Sequence, residues 1–391
     1  MKRKEVTVAH FDDSYFPVMD GVAIAVDNHA KILNDMGNES FVVTIKLDGA
    51  NDSEYPYKIY RSKSLKNPTN KIYRWPIIMV DFEFKKQLKE KKIDIIHLHS
   101  PFMVGHYGLR LARKKKIPVF ATFHTKFQDD LMEALHSKIL TKIVLGYVIR
   151  LFNKCDYVIT VTEYAKRVLY SYGYKGDIYV IPNGCDLKKP ENPKAIIKEI
   201  RNEYQIKPEE DLMLFVGAQN YKKNIKLIFK SLAIYKKQNK PFKMLMVGEG
   251  CHEEALKKYG ESLGLKDNII YTGKILDREK VAKLYTAANL FVFPSMYDTF
   301  ALVVREAAVC ETASVVVKET GPAESIVDGV NGFLTENNAE DLASKISFAL
   351  GDKDNLAKVA KEAMNTLPIT WEEVVAQVSE LYHEAIDKKK N

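Results

Sequence analysis

Phe291-Val292-Phe293-Pro294-Ser295, continuing through Asp298-Thr299-Phe300-Ala301 to Arg305-Glu306-Ala307-Ala308, is the stretch that decides how this chain is built. A short apolar strand over Leu290 to Phe293 stops at Pro294, a loop follows, and a helix begins near Phe300. The backbone N–H groups around Phe300, Ala301 and Leu302 then stand at a helix N-terminus, a seat for a phosphate or another anion. Asp298 precedes that helix and Glu306 lies about two turns into it, so the two carboxylates can flank one ligand along one face. A plainer reading makes Asp298 a helix cap and Glu306 a surface acid.

Working outward, strands and helices alternate on both sides of this stretch. Val6–Ala9, Phe41–Ile45, Ile93–Leu98, Val119–Phe123 and Tyr157–Thr162 read as strands, separated by helical patterns such as Val22–Met36, Val80–Lys92 and Gly105–Lys115. Leu212–Gly217, Met244–Val247 and Ile269–Gly273 repeat the theme in the second half, and Glu340–Leu350 and Leu356–Asn365 close it with helices. This alternation implies an α/β protein with parallel sheets, whose ligands gather at the carboxyl ends of the strands. The polar run Leu187–Pro193 reads as a linker. It sets a boundary between a first domain over 1–185 and a second over 186–369, with a final helix from Trp371 in a 370–391 tail.

The chain has 391 residues, enough for two domains, and its 46% apolar and 28% charged composition is that of a globular protein. Lys2-Arg3-Lys4 leads into a strand, not an apolar signal core, and no run is long enough to span a bilayer. Cys155, Cys185, Cys251 and Cys310 are scattered without a C-x-x-C pair, which points to a reducing cytoplasm and away from structural zinc. Residues 1–185 hold 29 Lys+Arg against 20 Asp+Glu, a net of +9, while the remainder holds 30 against 31. The basic excess therefore belongs to the first half and suits an acidic partner surface. Nucleic acid is not the expected partner, because no reading motif accompanies the charge.

Three loops after first-half strands draw attention. Asp20-Gly21-Val22 opens a helix, where Gly21 permits close backbone approach to a phosphate or sugar, or marks a plain turn. His97-Leu98-His99 puts two imidazoles on one strand face, which could suit a metal, but with no third ligand apparent structural histidines are the expected reading. His124, in Thr122-Phe123-His124-Thr125, can hydrogen-bond a sugar hydroxyl or pack at a strand end. Two amphipathic stretches are also suited to a headgroup region or to packing on the sheet. One carries Phe82, Phe84 and Leu88 with Lys85, Lys86 and Lys89; the other runs from Ile139 to Phe152 with Lys142. In the second half, Lys223 stands at a strand–loop–helix junction, where it can pair with a diphosphate. Gly248-Glu249-Gly250 follows a strand, but without a G-x-G-x-x-G run it does not support a nicotinamide enzyme.

Together these segments resemble the retaining GT-B glycosyltransferases of family 4. Asp298-x7-Glu306 resembles the family's E-x7-E signature, and Ile181-Pro182-Asn183-Gly184-Cys185-Asp186 resembles its I-P-N-G-x-D crossing between domains. Gly321-Pro322-Ala323-Glu324 through Asn331-Gly332-Phe333-Leu334 is similar to the family as well. The resemblance implies two Rossmann-like domains facing a cleft, with the C-terminal helix crossing back to the first. It implies a nucleotide sugar as co-substrate and no required metal or other cofactor. Of the residues, it gives Asp298 the donor-sugar hydroxyls, Glu306 the ribose, and Lys223 the phosphates. His124 falls beside the reacting sugar, and Gly21, Gly248, Glu249, Ile275, Thr299, Phe300, Ala301 and Leu302 fall around the donor.

The chain departs from the pattern at four positions: Asp298 replaces Glu, Thr299 and Ala301 replace glycines, and Ala218 stands where Arg is usual. The expected activity is transfer of a hexose, UDP-glucose or UDP-galactose favoured as donor, to an acceptor hydroxyl. The basic, amphipathic first half favours a membrane lipid such as diacylglycerol, with Phe82, Lys85, Lys86, Lys89 and Lys142 at an anionic surface on the cytoplasmic side. A soluble capsule or cell-wall polysaccharide transferase, and a degenerate module that binds without chemistry, are the alternatives.

Overall fold

The computed structural model describes residues 5–66 and 74–390, so the Lys2-Arg3-Lys4 segment lies outside the described residues. The chain divides into two compact units, Met1–Gly184 with Thr370–Asn391, and Cys185–Ile369.

The first unit carries β1 (Thr7–Phe11), β2 (Glu39–Ile45), β3 (Ile59–Ser62), β4 (Ser64–Lys66), β5 (Arg74–Pro76), β6 (Ile95–Leu98), β7 (Val119–Phe123), β8 (Tyr157–Thr160) and β9 (Tyr179–Val180). Seven of these form one parallel sheet in the order β3-β2-β1-β6-β7-β8-β9, while β4 and β5 make a separate antiparallel pair. β1, β6 and β7 are buried at every position, which is why their sequences are mostly apolar instead of alternating, broken only by Thr7, His10, His97 and Thr122. The Trp371–Lys390 helix packs in this unit, with Trp371 edge-on to His29 and Tyr382 edge-on to Phe120.

The second unit carries β10 (Asp211–Val216), β11 (Phe242–Val247), β12 (Ile269–Gly273), β13 (Leu290–Phe293), β14 (Ser314–Val317) and β15 (Phe333–Thr335). They form a parallel sheet in the order β12-β11-β10-β13-β14-β15. In each sheet the chain first builds outward in one direction and then jumps back to the other side of its first strand. The reversal lies between β1 and β6 in one unit and between β10 and β13 in the other. Loops leaving the carboxyl ends of those two strands diverge and open a crevice, the usual place for a ligand in this architecture.

Candidate functional site

In the second unit, the loop after β10 and the loop after β13 meet at one ion pair. Lys223 follows β10 in a single 3-10 turn, Tyr221–Lys223, capped by Asn220. Its ammonium reaches across the crevice to both oxygens of Asp298, at 2.6 and 2.8 Å. Ser295 donates its hydroxyl to the same carboxylate. The two side chains retain only 16% and 18% of their exposure. Asp298 is therefore not a helix cap, because the following helix has no side-chain cap at all.

That helix begins at Leu302, two residues later than the sequence suggests. Ala301 occupies its N-cap position in the left-handed region, with φ of +60° and ψ of 83°. The amides that open the helix are those at Ala301, Leu302 and Val303, and with no side chain capping them they keep their capacity for an anion. Thr299, Phe300 and Ala301 are all buried. A β-carbon on Gly321 would stand 2.1 Å from the Thr299 carbonyl oxygen, so only glycine lets the loop after β14 press against this turn. Arg305 braces it from inside: its guanidinium lies 4.2 Å from the Phe300 ring centroid and donates to the Phe300 carbonyl at 2.9 Å and the Ser325 hydroxyl at 3.1 Å. Burial lowers its pKa to about 10.

Glu306 is not a surface acid either. It is 6% exposed, with Oε1 taking a hydrogen bond from Arg278 at 2.7 Å and Oε2 one from the Tyr285 hydroxyl at 3.1 Å. Arg278 also reaches Asp186 at 2.7 Å and lines a cleft of about 650 Å³ with Leu187, Lys189 and Ile196. Burial alone would weaken the Arg278 charge, but the carboxylates of Glu306 and Asp186 outweigh it and push the pKa up. Burial, and then the Glu306 charge, raise that of Tyr285. Arg278 and Tyr285 carry no local signature in the sequence, since the Asp277-Arg278-Glu279-Lys280 helix start looks like any solvated one.

The turns after β11 and β12 complete the carboxyl edge. A β-carbon on Gly248, at φ +125°, would lie 2.2 Å from the Gly217 carbonyl oxygen, so this turn packs backbone against backbone. Glu249 accepts the Gln219 amide through its carbonyl at 2.9 Å, and Ile275 packs on the core below. Ala218 supplies no charge. Lys222 stands close by, its ammonium 5.0 Å from the Tyr297 ring that Lys223 also faces at 5.8 Å.

In the first unit, His124 is one of a line of buried imidazoles. His10 Nδ1 lies 2.9 Å from His99 Nε2, and His99 Nδ1 lies 3.1 Å from His124 Nε2. His97 contacts the Tyr382 hydroxyl at 2.5 Å and that of Thr122 at 2.7 Å. Parallel pairing of β1 with β6 sets His10 opposite His97 and supplies the third imidazole that the H-x-H spacing does not reveal. Nitrogens of His10, His97 and His99 lie within 4.8 Å of one another, yet those of His97 and His99 are engaged by hydrogen-bond partners. Burial drives all of these imidazoles toward the neutral form, His124 to a pKa of about 3 and His29, beside them, to about 4. Gly21 starts its helix as read, but Asp20 takes the amides of Val22 and Ala23 at 2.9 and 2.8 Å. That helix mouth is filled by the chain's own carboxylate.

The amphipathic stretches approach each other through Arg110 and His106. Phe84 and Leu88 turn inward, while Phe82 is 74% exposed beside exposed Met79, Val80, Lys86 and Lys89. Lys85 lies 4.5 Å from the Phe82 ring and donates to the Met79 carbonyl. Met79 Sδ meets Arg110 at 3.9 Å, and one turn along the same helix His106 stacks on Tyr147 with ring centroids 4.1 Å apart. Tyr147 continues into exposed Ile143, Leu140 and Ile139, with Lys142 exposed among them. Among the described residues, no helix is long and apolar enough to cross a membrane.

Comparisons with known proteins bear on the family and the fold. Residues 19–189 match the family described as Glycosyltransferase Family 4, and residues 196–366 match Glycosyl transferases group 1. The chain is 30% identical over 296 residues to an alpha-monoglucosyldiacylglycerol synthase of Streptococcus pneumoniae, spanning 74% of this chain and 66% of that one. It is 23% identical to the Acholeplasma laidlawii protein of the same name, over 97% of each. The crystal structure of Anabaena HepE in complex with UDP-glucose superposes with a TM-score of 0.79 at 19% identity, covering 97% of this chain and 100% of that one. The chain belongs to the family 4 glycosyltransferases and is a transferase enzyme built on the GT-B fold.

Proposed function

We propose that this enzyme transfers a hexose, with retention, from UDP-glucose or UDP-galactose to the hydroxyl of a membrane lipid such as diacylglycerol. The observation that carries the lipid reading is the pair of exposed apolar groups, Met79, Val80 and Phe82 on one side and Ile139, Leu140, Ile143 and Tyr147 on the other, linked through Arg110 and His106 and accompanied by Lys85, Lys86, Lys89 and Lys142. Such groups suit an anionic headgroup layer, their rings and aliphatic chains entering and the ammonium groups meeting lipid phosphates. The enzyme then works as a peripheral protein on the cytoplasmic side. The names of the two lipid glucosyltransferase relatives support the same acceptor class.

Donor binding falls to the second unit. Lys223 and the uncapped amides of the Leu302–Val309 helix hold the diphosphate and stabilise the charge that develops as it departs. Asp298 takes sugar hydroxyls and Glu306 the ribose, with no metal required. The bond from the anomeric carbon to the diphosphate breaks as the acceptor oxygen attacks from the same face, and the leaving phosphate takes the acceptor's proton. The protein's part is positioning and charge stabilisation. Sugar transfer by a Lys223→Ala/Glu306→Ala variant is expected to fall below detection while the fold survives; ample turnover would refute the assignment.

A further inference from the structure

We propose that Lys223 and Asp298 form an exchange pair that makes the site favour an intact nucleotide sugar over the bare nucleoside diphosphate. The inference rests on the reading of Lys223 as the phosphate partner. One ammonium serves both oxygens of one carboxylate, at 2.6 and 2.8 Å, with 16% and 18% of the two side chains exposed. The ammonium is otherwise faced by the rings of Phe293 at 5.6 Å and Tyr297 at 5.8 Å, neither of which replaces a full counter-charge.

A phosphate that draws Lys223 away leaves Asp298 largely buried and without that counter-charge, the Ser295 hydroxyl still donating to it. Separating a desolvated pair and leaving one member unmatched costs far more than the pair contributes when intact. A nucleoside diphosphate brings an anion for Lys223 and nothing for Asp298. A nucleotide sugar brings both, because its hydroxyls donate to the carboxylate that the lysine has left. The cost of opening the pair is thus returned only by the complete donor. Once the sugar has moved to the acceptor, Asp298 reclaims Lys223 and the product diphosphate loses its cation. Selection of the donor and release of the product follow from the same contact.

The pair also joins the two loops that diverge at the sheet's reversal point, so a purely structural role is the competing explanation. The two differ in the sign of one effect. UDP, GDP and ADP would each be titrated calorimetrically into the wild-type enzyme, Asp298→Asn, Lys223→Gln and the double variant, with thermal unfolding followed in parallel. Exchange predicts that Asp298→Asn binds the preferred diphosphate about tenfold tighter than wild type. It also predicts that the same substitution changes nothing in the Lys223→Gln background. Equal or weaker binding by folded Asp298→Asn, with wild-type binding intact, overturns the exchange and leaves the donor assignment standing. Failure of all three nucleotides to bind wild type removes the donor assignment, and the exchange with it.

Discussion

Arg278 holds Glu306 by a 2.7 Å hydrogen bond, and the Tyr285 hydroxyl fixes the carboxylate's other oxygen at 3.1 Å. Each oxygen keeps a lone pair for a ligand, so the carboxylate is oriented before any ribose arrives. Hydrogen bonds to charged groups contribute about 1.5–3 kcal/mol, so Arg278→Gln should raise the donor KM about tenfold or more and leave kcat within a few-fold. Arg278→Lys should recover part of the loss. Steady-state kinetics across the three proteins checks this; a fall in thermal stability with unchanged KM would confine Arg278 to a structural role.

The imidazole line in the first unit sets a pH limit. His10, His29, His97, His99 and His124 have pKa values lowered by burial, so in the folded state they stay neutral where the unfolded chain binds protons. Stability is therefore full above the unfolded value near 6.5 and falls as pH drops below it, until the folded-state values are reached, about 4 for His29 and about 3 for His124. Each such histidine costs up to about 1.4 kcal/mol per pH unit in that window. Thermal unfolding from pH 7.5 to 5 should show a steep decline beginning near 6.5, and a flat profile would contradict the neutral network.

Ala301 carries a β-carbon in backbone where glycine is at ease, with φ of +60°. The left-handed region costs a non-glycine residue about 1–2 kcal/mol, partly offset by the greater freedom glycine gains when unfolded. Ala301→Gly should stabilise the enzyme by roughly 0.5–1 kcal/mol, read from denaturant midpoints. A destabilised variant would mean that the Ala301 methyl packs more usefully than its backbone is strained.

Phe82 and Ile143 should govern attachment to bilayers without affecting the fold, since they are 74% and 63% exposed. Removing one large apolar side chain forfeits about 1.5–3 kcal/mol of burial, so Phe82→Ser should weaken partition onto anionic vesicles at least tenfold, and Phe82→Ser/Ile143→Ser further. Co-sedimentation with vesicles containing phosphatidylglycerol checks this. Equal sedimentation of all the proteins would move the membrane contact elsewhere.

Much of the fold was legible because buried parallel strands are mostly apolar and their partner helices are not. β13 and β14 appear where the apolar runs are, and the E-x7-E-like spacing marks the crevice beside them. The edge strands β3 and β9, short and half-exposed, carry too little pattern to be seen. The helix after Asp298 starts later than expected because Ala301 adopts the left-handed conformation instead of the first helical turn. Arg278 and His10 were missed for a topological reason. One is placed against Glu306 by the packing of two helices 28 residues apart, the other against His97 by a strand pairing that spans 87 positions, and neither relation has a local signature.

The most direct test of the central claim is nucleotide release from UDP-, GDP- and ADP-sugars, measured with and without diacylglycerol in anionic mixed micelles. The account predicts release from UDP-glucose or UDP-galactose that requires the lipid and yields a glycosylated diacylglycerol. Release indifferent to lipid, or bound nucleotide with no turnover from any donor, would contradict it.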